Sequence, residues 1–269
     1  MTLSRILTYV FMAGSLYLAY FLYNGVQSVI DEKESISTKE AALIERLRLI
    51  REAEIVFQEQ FGRYTANFDS LATFIETGRV PIIERREEIK QKAYGGEEVI
   101  LHIDTLGYIP AKERIFKKTY NVNAADNGIF QGFKVKVGDV VLTNQKAYGL
   151  KIGDQIKEPG FIDNGTVERL SDVKVGDEIT KGQNLVTLWE YQFNPNVDFK
   201  KIGFLPYDET KKLDVYVGTV DKGGLKVDVI EVKDPAPVNP ARKESNDAKA
   251  RKPLRFGSRL DVSTAGNWE

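Results

Sequence analysis

From Ile6 to Ile30 the chain carries no charged side chain, and Ile6 to Tyr23 is apolar almost throughout: I-L-T-Y-V-F-M-A-G-S-L-Y-L-A-Y-F-L-Y. A helix crosses the ~30 Å hydrocarbon layer of a bilayer in about 20 residues, so this run spans it once the mildly polar flank is counted. The competing reading is a secretory signal peptide, which also starts with a basic residue and an apolar run. Cleavage needs small residues in an A-x-A-like site at the end of the run. Here the end reads Tyr20, Phe21, Leu22, Tyr23, Asn24, and tyrosines at that position suit the headgroup level of a membrane. The pattern favours a retained anchor over residues 1–30. Arg5 precedes the run, and Asp31, Glu32 and Glu34 follow it. The positive-inside rule then puts the N-terminus in the cytoplasm and the bulk of the chain in the periplasm, held at the inner membrane by one span.

The remaining chain is long enough for one large domain or two small ones. Thirty-eight lysines and arginines stand against 39 aspartates and glutamates. That balance removes any whole-protein electrostatic case for a nucleic-acid partner. There is no cysteine and a single histidine, His102, which excludes disulfides and thiolate nucleophiles and argues against a zinc hydrolase.

Residues 31–78 read as a stalk. Ile36, Leu43, Leu47, Ile50, Phe57 and Phe61 fall on one helical face at heptad-type spacing, and Glu40, Glu45, Arg46, Arg48, Arg51, Glu52 and Glu59 supply a charged remainder. The stripe suits packing either on the protein's own domain or against another helix, in which case these residues pair copies into a homo-oligomer. Ser37 with Glu40 fits a capping box, predicting a break after the span. Gly62 suits a helix C-terminus, and a short second helix follows to Thr77.

The segment E-A-E-I-V-F-Q-E-Q, followed by F-G-R-Y-T-A-N-F-D-S-L from Phe61 to Leu71, resembles the end of the long first helix in type IV pilins and pseudopilins. There a G-x-Y turn leads into a capped second helix. The resemblance implies pilin-like local architecture. It does not extend to processing or polymerisation, because Met1 to Tyr23 has neither the glycine-ended leader nor the glutamate within the apolar helix that pilins use.

Residues 79–96 are rich in charge and read as a connector, with Gly95-Gly96 as a boundary. From Glu97 the period changes to alternation: V-I-L-H-I, G-Y-I-P, F-K-V-K-V-G-D-V-V-L, D-V-Y-V-G-T-V and L-K-V-D-V-I-E-V read as strands separated by glycine turns. The fold class expected is α+β: membrane helix, stalk helix, then a mostly antiparallel β domain over residues 97–233. One turn recurs, at Lys136 to Asp139, Lys151 to Asp154 and Lys174 to Asp177. Each puts an apolar residue before Gly-Asp, a pair suited to a tight turn. The spacing of 15 and then 23 residues is too uneven for a solenoid.

The third copy continues as V-K-V-G-D-E-I-T-K-G-Q-N-L-V-T-L from Val173 to Leu188, after G-T-V at Gly165. This looks like the biotinyl/lipoyl-type barrel-sandwich module, also found in periplasmic adaptor subunits of efflux and secretion systems, with Gly176, Asp177 and Gly182 at its signature turns. A carrier version needs a lysine on an exposed hairpin, typically beside methionine. Met1 and Met12 are the only methionines and no such motif occurs, so no cofactor is expected. The adaptor version normally holds a helical hairpin, for which Lys134 to Leu188 has no room, and the resemblance implies a binding or spacing module.

His102 and Asp104 fall on one face of a strand, but no nucleophile motif accompanies them. Asp126, Asp163 and Asp172 read as turn residues. No phosphate-cradling glycine motif is present, so no catalytic, metal or cofactor site is expected.

Residues 234–269 open with a stretch rich in proline and charge and read as a flexible tail; Trp268 near the end suits a short docking segment or a frayed terminus. D-T-L-G-Y-I-P at Asp104 to Pro110, read as a turn, and the terminal S-T-A-G-N-W also look like a family of single-span envelope proteins from bacteria with two membranes, which implies location and no activity. The sequence as a whole predicts a non-enzymatic, membrane-anchored scaffold or assembly subunit of a pilus-like or secretion-related machine, or else a periplasmic adaptor for an export system. Its partners would be the membrane and other envelope proteins.

Overall fold

The computed structural model describes residues 3–91, 97–242 and 252–269. The fold is α+β, with a long N-terminal helix and antiparallel strand pairing throughout the described sheets. It divides into two compact units: Met1–Phe68 with Lys200–Glu269, and Asp69–Phe199.

In the first unit, α1 (Leu3–Phe61) runs for 59 residues without interruption, about 88 Å at 1.5 Å per residue. The break expected at Ser37 is absent. A cap is needed only where helical N–H groups lack carbonyls one turn back, and residues 31–42 contain neither glycine nor proline to interrupt that supply. Glu40 instead accepts a hydrogen bond from Asn239 Nδ2 at 2.9 Å and pairs with Arg242 Nε at 3.2 Å. The helix ends where the sequence places its end: Gly62 N–H donates to the Gln58 carbonyl at 2.8 Å.

The rest of this unit holds the hairpin of β11 (Phe204–Leu205) and β12 (Asp208–Lys212), and the sheet β13 (Asp214–Lys222), β14 (Leu225–Lys233) and β15 (Arg255–Gly257) in that order. The flexible tail expected over 234–269 needs correction. Residues 255–257 pair with β14, Leu254 and Phe256 are buried, and β15 packs against α1. The reason is local charge neutralisation. Glu231, buried on β14, accepts hydrogen bonds from Arg255 Nη1 and Arg259 Nε, both at 2.7 Å, so two tail arginines are spent on one interior carboxylate. Glu269 reaches Arg51 Nη1 at 2.6 Å, and Arg51 also lies over the Trp268 ring. Residues 243–251 of the expected tail lie outside the described residues.

The second unit begins within α2 (Phe68–Thr77) and continues with a ribbon of two long strands, β1 (Arg79–Gln91) and β2 (Glu97–Pro110). This corrects the expectation of a charged connector over 79–96. A two-stranded ribbon meets solvent on both faces, so β1 tolerates a charge density that a half-buried strand would not. The Gly95-Gly96 boundary lies outside the described residues. Asp104 to Pro110 is the end of β2, as the strand reading of G-Y-I-P has it and contrary to the turn reading of the whole stretch, with a register irregularity between Ile82 and Ile83. A short helix, α3 (Ala111–Phe116), leads into two four-stranded sheets. One has the order β3 (Lys117–Asn123), β10 (Asn184–Tyr191), β8 (Gly165–Leu170), β5 (Val140–Val141). The other has the order β7 (Gln155–Lys157), β6 (Tyr148–Ile152), β4 (Gly128–Phe133), β9 (Glu178–Ile179). Phe130, Tyr148, Leu150, Phe161, Val167 and Leu188 are among the residues that fill the core between them.

Candidate interaction surfaces

The turns singled out at Gly176, Asp177 and Gly182 belong to an internal duplication. Val135 to Asp139 and Val173 to Asp177 are the same five residues, V-K-V-G-D. In each, the aspartate closes the turn: Asp139 Oδ2 accepts the Lys136 N–H at 2.8 Å, and Asp177 Oδ2 accepts the Lys174 N–H at 2.9 Å. Each turn is then held by the strand of the opposite half. Gly138 N–H donates to the Val167 carbonyl at 2.8 Å and Gly176 N–H to the Phe130 carbonyl at 2.9 Å. Farther on, Asn144 N–H donates to Phe161 at 2.8 Å and Gly182 N–H to Ala124 at 2.9 Å.

The match extends to backbone angles. Gly182 has φ +87°, and its counterpart Asn144, at φ 68°, is the one non-glycine residue at positive φ among those described. Asparagine is among the few residues whose short polar side chain tolerates that region. The sequence carried this signal in the repeated pentapeptide. The expectation of three equivalent turns obscured it, because Lys151 to Asp154 is the unrelated β6–β7 hairpin, in which Ile152 pairs with Gln155.

The duplication supplies an internal control for the surface. Equivalent exposed positions sit on equivalent backbone, so a difference in side chain is not dictated by the fold. One half carries Glu178, Thr180 and Ala125 there, and the other carries Val140, Leu142 and Ile162, exposed at 73, 63 and 84 %. The apolar trio therefore has no structural need behind it, and exposed apolar clusters mark contact sites. On the polar half, an open groove of about 560 Å³ is lined by Asn127, Gly128, Lys151, Glu178 and Thr180, among others.

The helix-pairing residues divide into two groups. Leu43, Leu47 and Ile50 are buried within the chain itself, whereas Ile36 and Phe57 are half-buried and Phe61 is 54 % exposed. The chain's own fold thus takes up the middle of the stripe. Toward the N-terminus, Phe11, Leu16, Tyr17, Leu18, Phe21 and Leu22 are all exposed, pointing to every side of α1. Among the described residues no helix is long and apolar enough to cross a membrane; the expected span starts at Ile6, and the side chains of residues 3–9 lie outside the described residues.

Sequence reasoning missed Glu54. It lies four residues after Ile50 on the apolar stripe, which was the available signal, and it is 1 % exposed. Its Oε2 accepts the Thr65 N–H at 3.0 Å and so ties the turn after α1 back onto the helix. Burial raises its carboxyl from about 4.5 to about 8, against the smaller opposing effect of the Thr65 hydrogen bond. The Tyr64 hydroxyl is pushed up too, first by burial and then by the carboxylates of Glu54 and Asp228. Tyr64 and Asp228 line a cavity of about 290 Å³ with Ile55, Ile230, Val262 and Thr264. His102 and Asp104 lie on β2, where His102 is opposite Arg86. Among the described residues no group of three or more histidine, cysteine, aspartate or glutamate side chains is placed to hold a metal ion.

No family model matches the chain, and no curated protein matches its sequence.

Proposed function

We propose that this chain is a non-enzymatic scaffold or assembly subunit of a pilus-like or secretion-related envelope machine. It is anchored in the inner membrane by the first part of α1, with its bulk in the periplasm. The observation that carries the reading is the N-terminal half of α1. Large apolar side chains from Val10 to Ile30 stand exposed on all sides of one helix, a surface that water disfavours and a bilayer accommodates. The pilin-like order of helix, G-R-Y turn and second helix supports the kind of machine. The test is flotation of cell membranes on a density gradient, followed by alkaline extraction. The chain should float and resist extraction, and Leu16→Arg with Leu18→Arg, placing two charges mid-span, should release it. Wild-type chain left in the soluble fraction would refute the anchor. Cross-linking in membranes with mass spectrometry then tests the machine: recovery of pilus-like or secretion components supports the scaffold.

The second reading, a periplasmic adaptor for an export system, is favoured by the duplicated two-sheet module with its apolar trio. Recovery of an outer-membrane channel together with a transporter would select it over the scaffold.

A further inference from the structure

Tyr64, Asp228 and Thr264 come from three distant stretches of the first unit: the turn after α1, strand β14 and the C-terminal segment. All three line the cavity of about 290 Å³, and Ile55, Ile230 and Val262 supply apolar wall around them. Among the described residues, the Tyr64 hydroxyl, the Asp228 carboxylate and the Thr264 hydroxyl have no hydrogen-bond or ion-pair partner within the chain. Their neighbours differ. Of the four carboxylates on β13 and β14, Asp214 pairs with Lys233 at 3.9 Å, Asp221 accepts the Gly224 N–H at 2.9 Å and Glu231 holds two arginines, which leaves Asp228. Ser263, beside Thr264, accepts the Ala265 N–H at 3.2 Å. Asp228 and Tyr64 are half-buried. A partly buried carboxylate without a partner carries a desolvation cost that a bound cation offsets.

The oxygens present select the chemistry of that cation. Calcium and magnesium ions take about six or more oxygen ligands, and the other nearby carboxyl, Glu54, is buried with its Oε2 already on the Thr65 N–H. A primary ammonium needs fewer. It has three N–H donors, one for each of the Asp228, Tyr64 and Thr264 oxygens, and an aliphatic stem behind it suits the walls of Ile55, Ile230 and Val262. Burial first, and then the carboxylates of Glu54 and Asp228, push the Tyr64 hydroxyl up, so it stays neutral and its oxygen is free to accept. At about 30 Å³ for each water-sized group, the cavity takes about ten non-hydrogen atoms. An anion would meet the Asp228 charge and be repelled.

We propose that this cavity binds an organic cation, a primary ammonium on a short aliphatic stem, with Asp228 taking the charge and Tyr64 and Thr264 accepting the remaining N–H groups. The site lies outside the apolar run of α1 and does not depend on the membrane anchor. The test is isothermal titration calorimetry of the full-length, detergent-solubilised chain with n-butylamine at about pH 7, where the amine is protonated. Saturable binding with a Kd of about 1 mM or tighter is expected, and n-butanol and butyrate should bind at least about tenfold more weakly. Asp228→Asn, which keeps the side-chain shape, should weaken n-butylamine about tenfold or more, and Tyr64→Phe and Thr264→Val about threefold to tenfold each. An unfolding midpoint close to that of wild type identifies the variants that have folded, and any one of the three suffices to locate the site. N-acetyl-lysine amide separates two sources of the same chemistry. Binding as tight as that of n-butylamine supports a lysine side chain of a partner protein, and binding at least about tenfold weaker supports a free amine. No saturable binding of either amine, equal binding of n-butanol, or wild-type affinity in the folded variants, as adsorption to detergent would give, would overturn the proposal.

Discussion

Glu54 offers the sharpest test of how this fold is held together. Its carboxyl sits at about 8 in the folded chain and at about 4.5 when exposed in the unfolded one. Because the folded value is the higher, the folded state retains a proton that the unfolded state has released, and stability falls as pH rises through the interval between the two. The contribution is fully present below about pH 4.5 and lost by about pH 8. Each unit is worth about 1.4 kcal/mol, so the loss is about 3 kcal/mol at pH 7 and approaches 5 kcal/mol above pH 8. Glu54→Gln removes the titration and keeps an amide oxygen to accept the Thr65 N–H. Denaturant unfolding of both proteins from pH 5 to 9 should show the variant gaining on wild type by up to about 1.4 kcal/mol per pH unit until pH 8. Parallel curves across that range would refute the view that burial, rather than solvent, governs this carboxyl.

The remaining predictions use other parts of the molecule. Asn144→Val, which forces a β-branched residue into the left-handed region, should cost about 1–2 kcal/mol of stability in thermal unfolding, whereas Asn144→Gly should be close to neutral. Glu231→Ala leaves Arg255 and Arg259 without their shared carboxylate; both arginines are partly exposed and can be hydrated, so the cost should be about 1–3 kcal/mol, with limited proteolysis showing earlier cutting within residues 252–269. Exchanging the apolar pair for its symmetry counterparts, Val140→Glu with Leu142→Thr, should change stability by no more than about 0.5 kcal/mol. It should remove any cross-links to partner proteins that map to this corner; loss of the fold would show that these side chains serve packing instead.

Local pattern alone located the helical segments before residue 78, several of the later strands and the end of α1, because apolar periodicity and glycine punctuation act over a few residues; it did not locate the short helix α3. It also carried the duplication, in the repeated V-K-V-G-D, and the candidate position of Glu54, on the stripe with Leu43, Leu47 and Ile50. The tertiary structure decided what these features meet. It assigned the middle of the stripe to the chain's own core, because a sequence period states which face is apolar and not what covers it. It turned a charged stretch into strand β1, because charge disfavours a strand only when the strand has a face to bury. It drew Arg255 and Arg259 onto Glu231, and Glu269 onto Arg51, pairings across tens or hundreds of residues that no local pattern records. The uncharged run from Ile6 to Ile30 needed no fold to be recognised. The exposed apolar trio of Val140, Leu142 and Ile162, by contrast, exists as a surface only once the strands have paired.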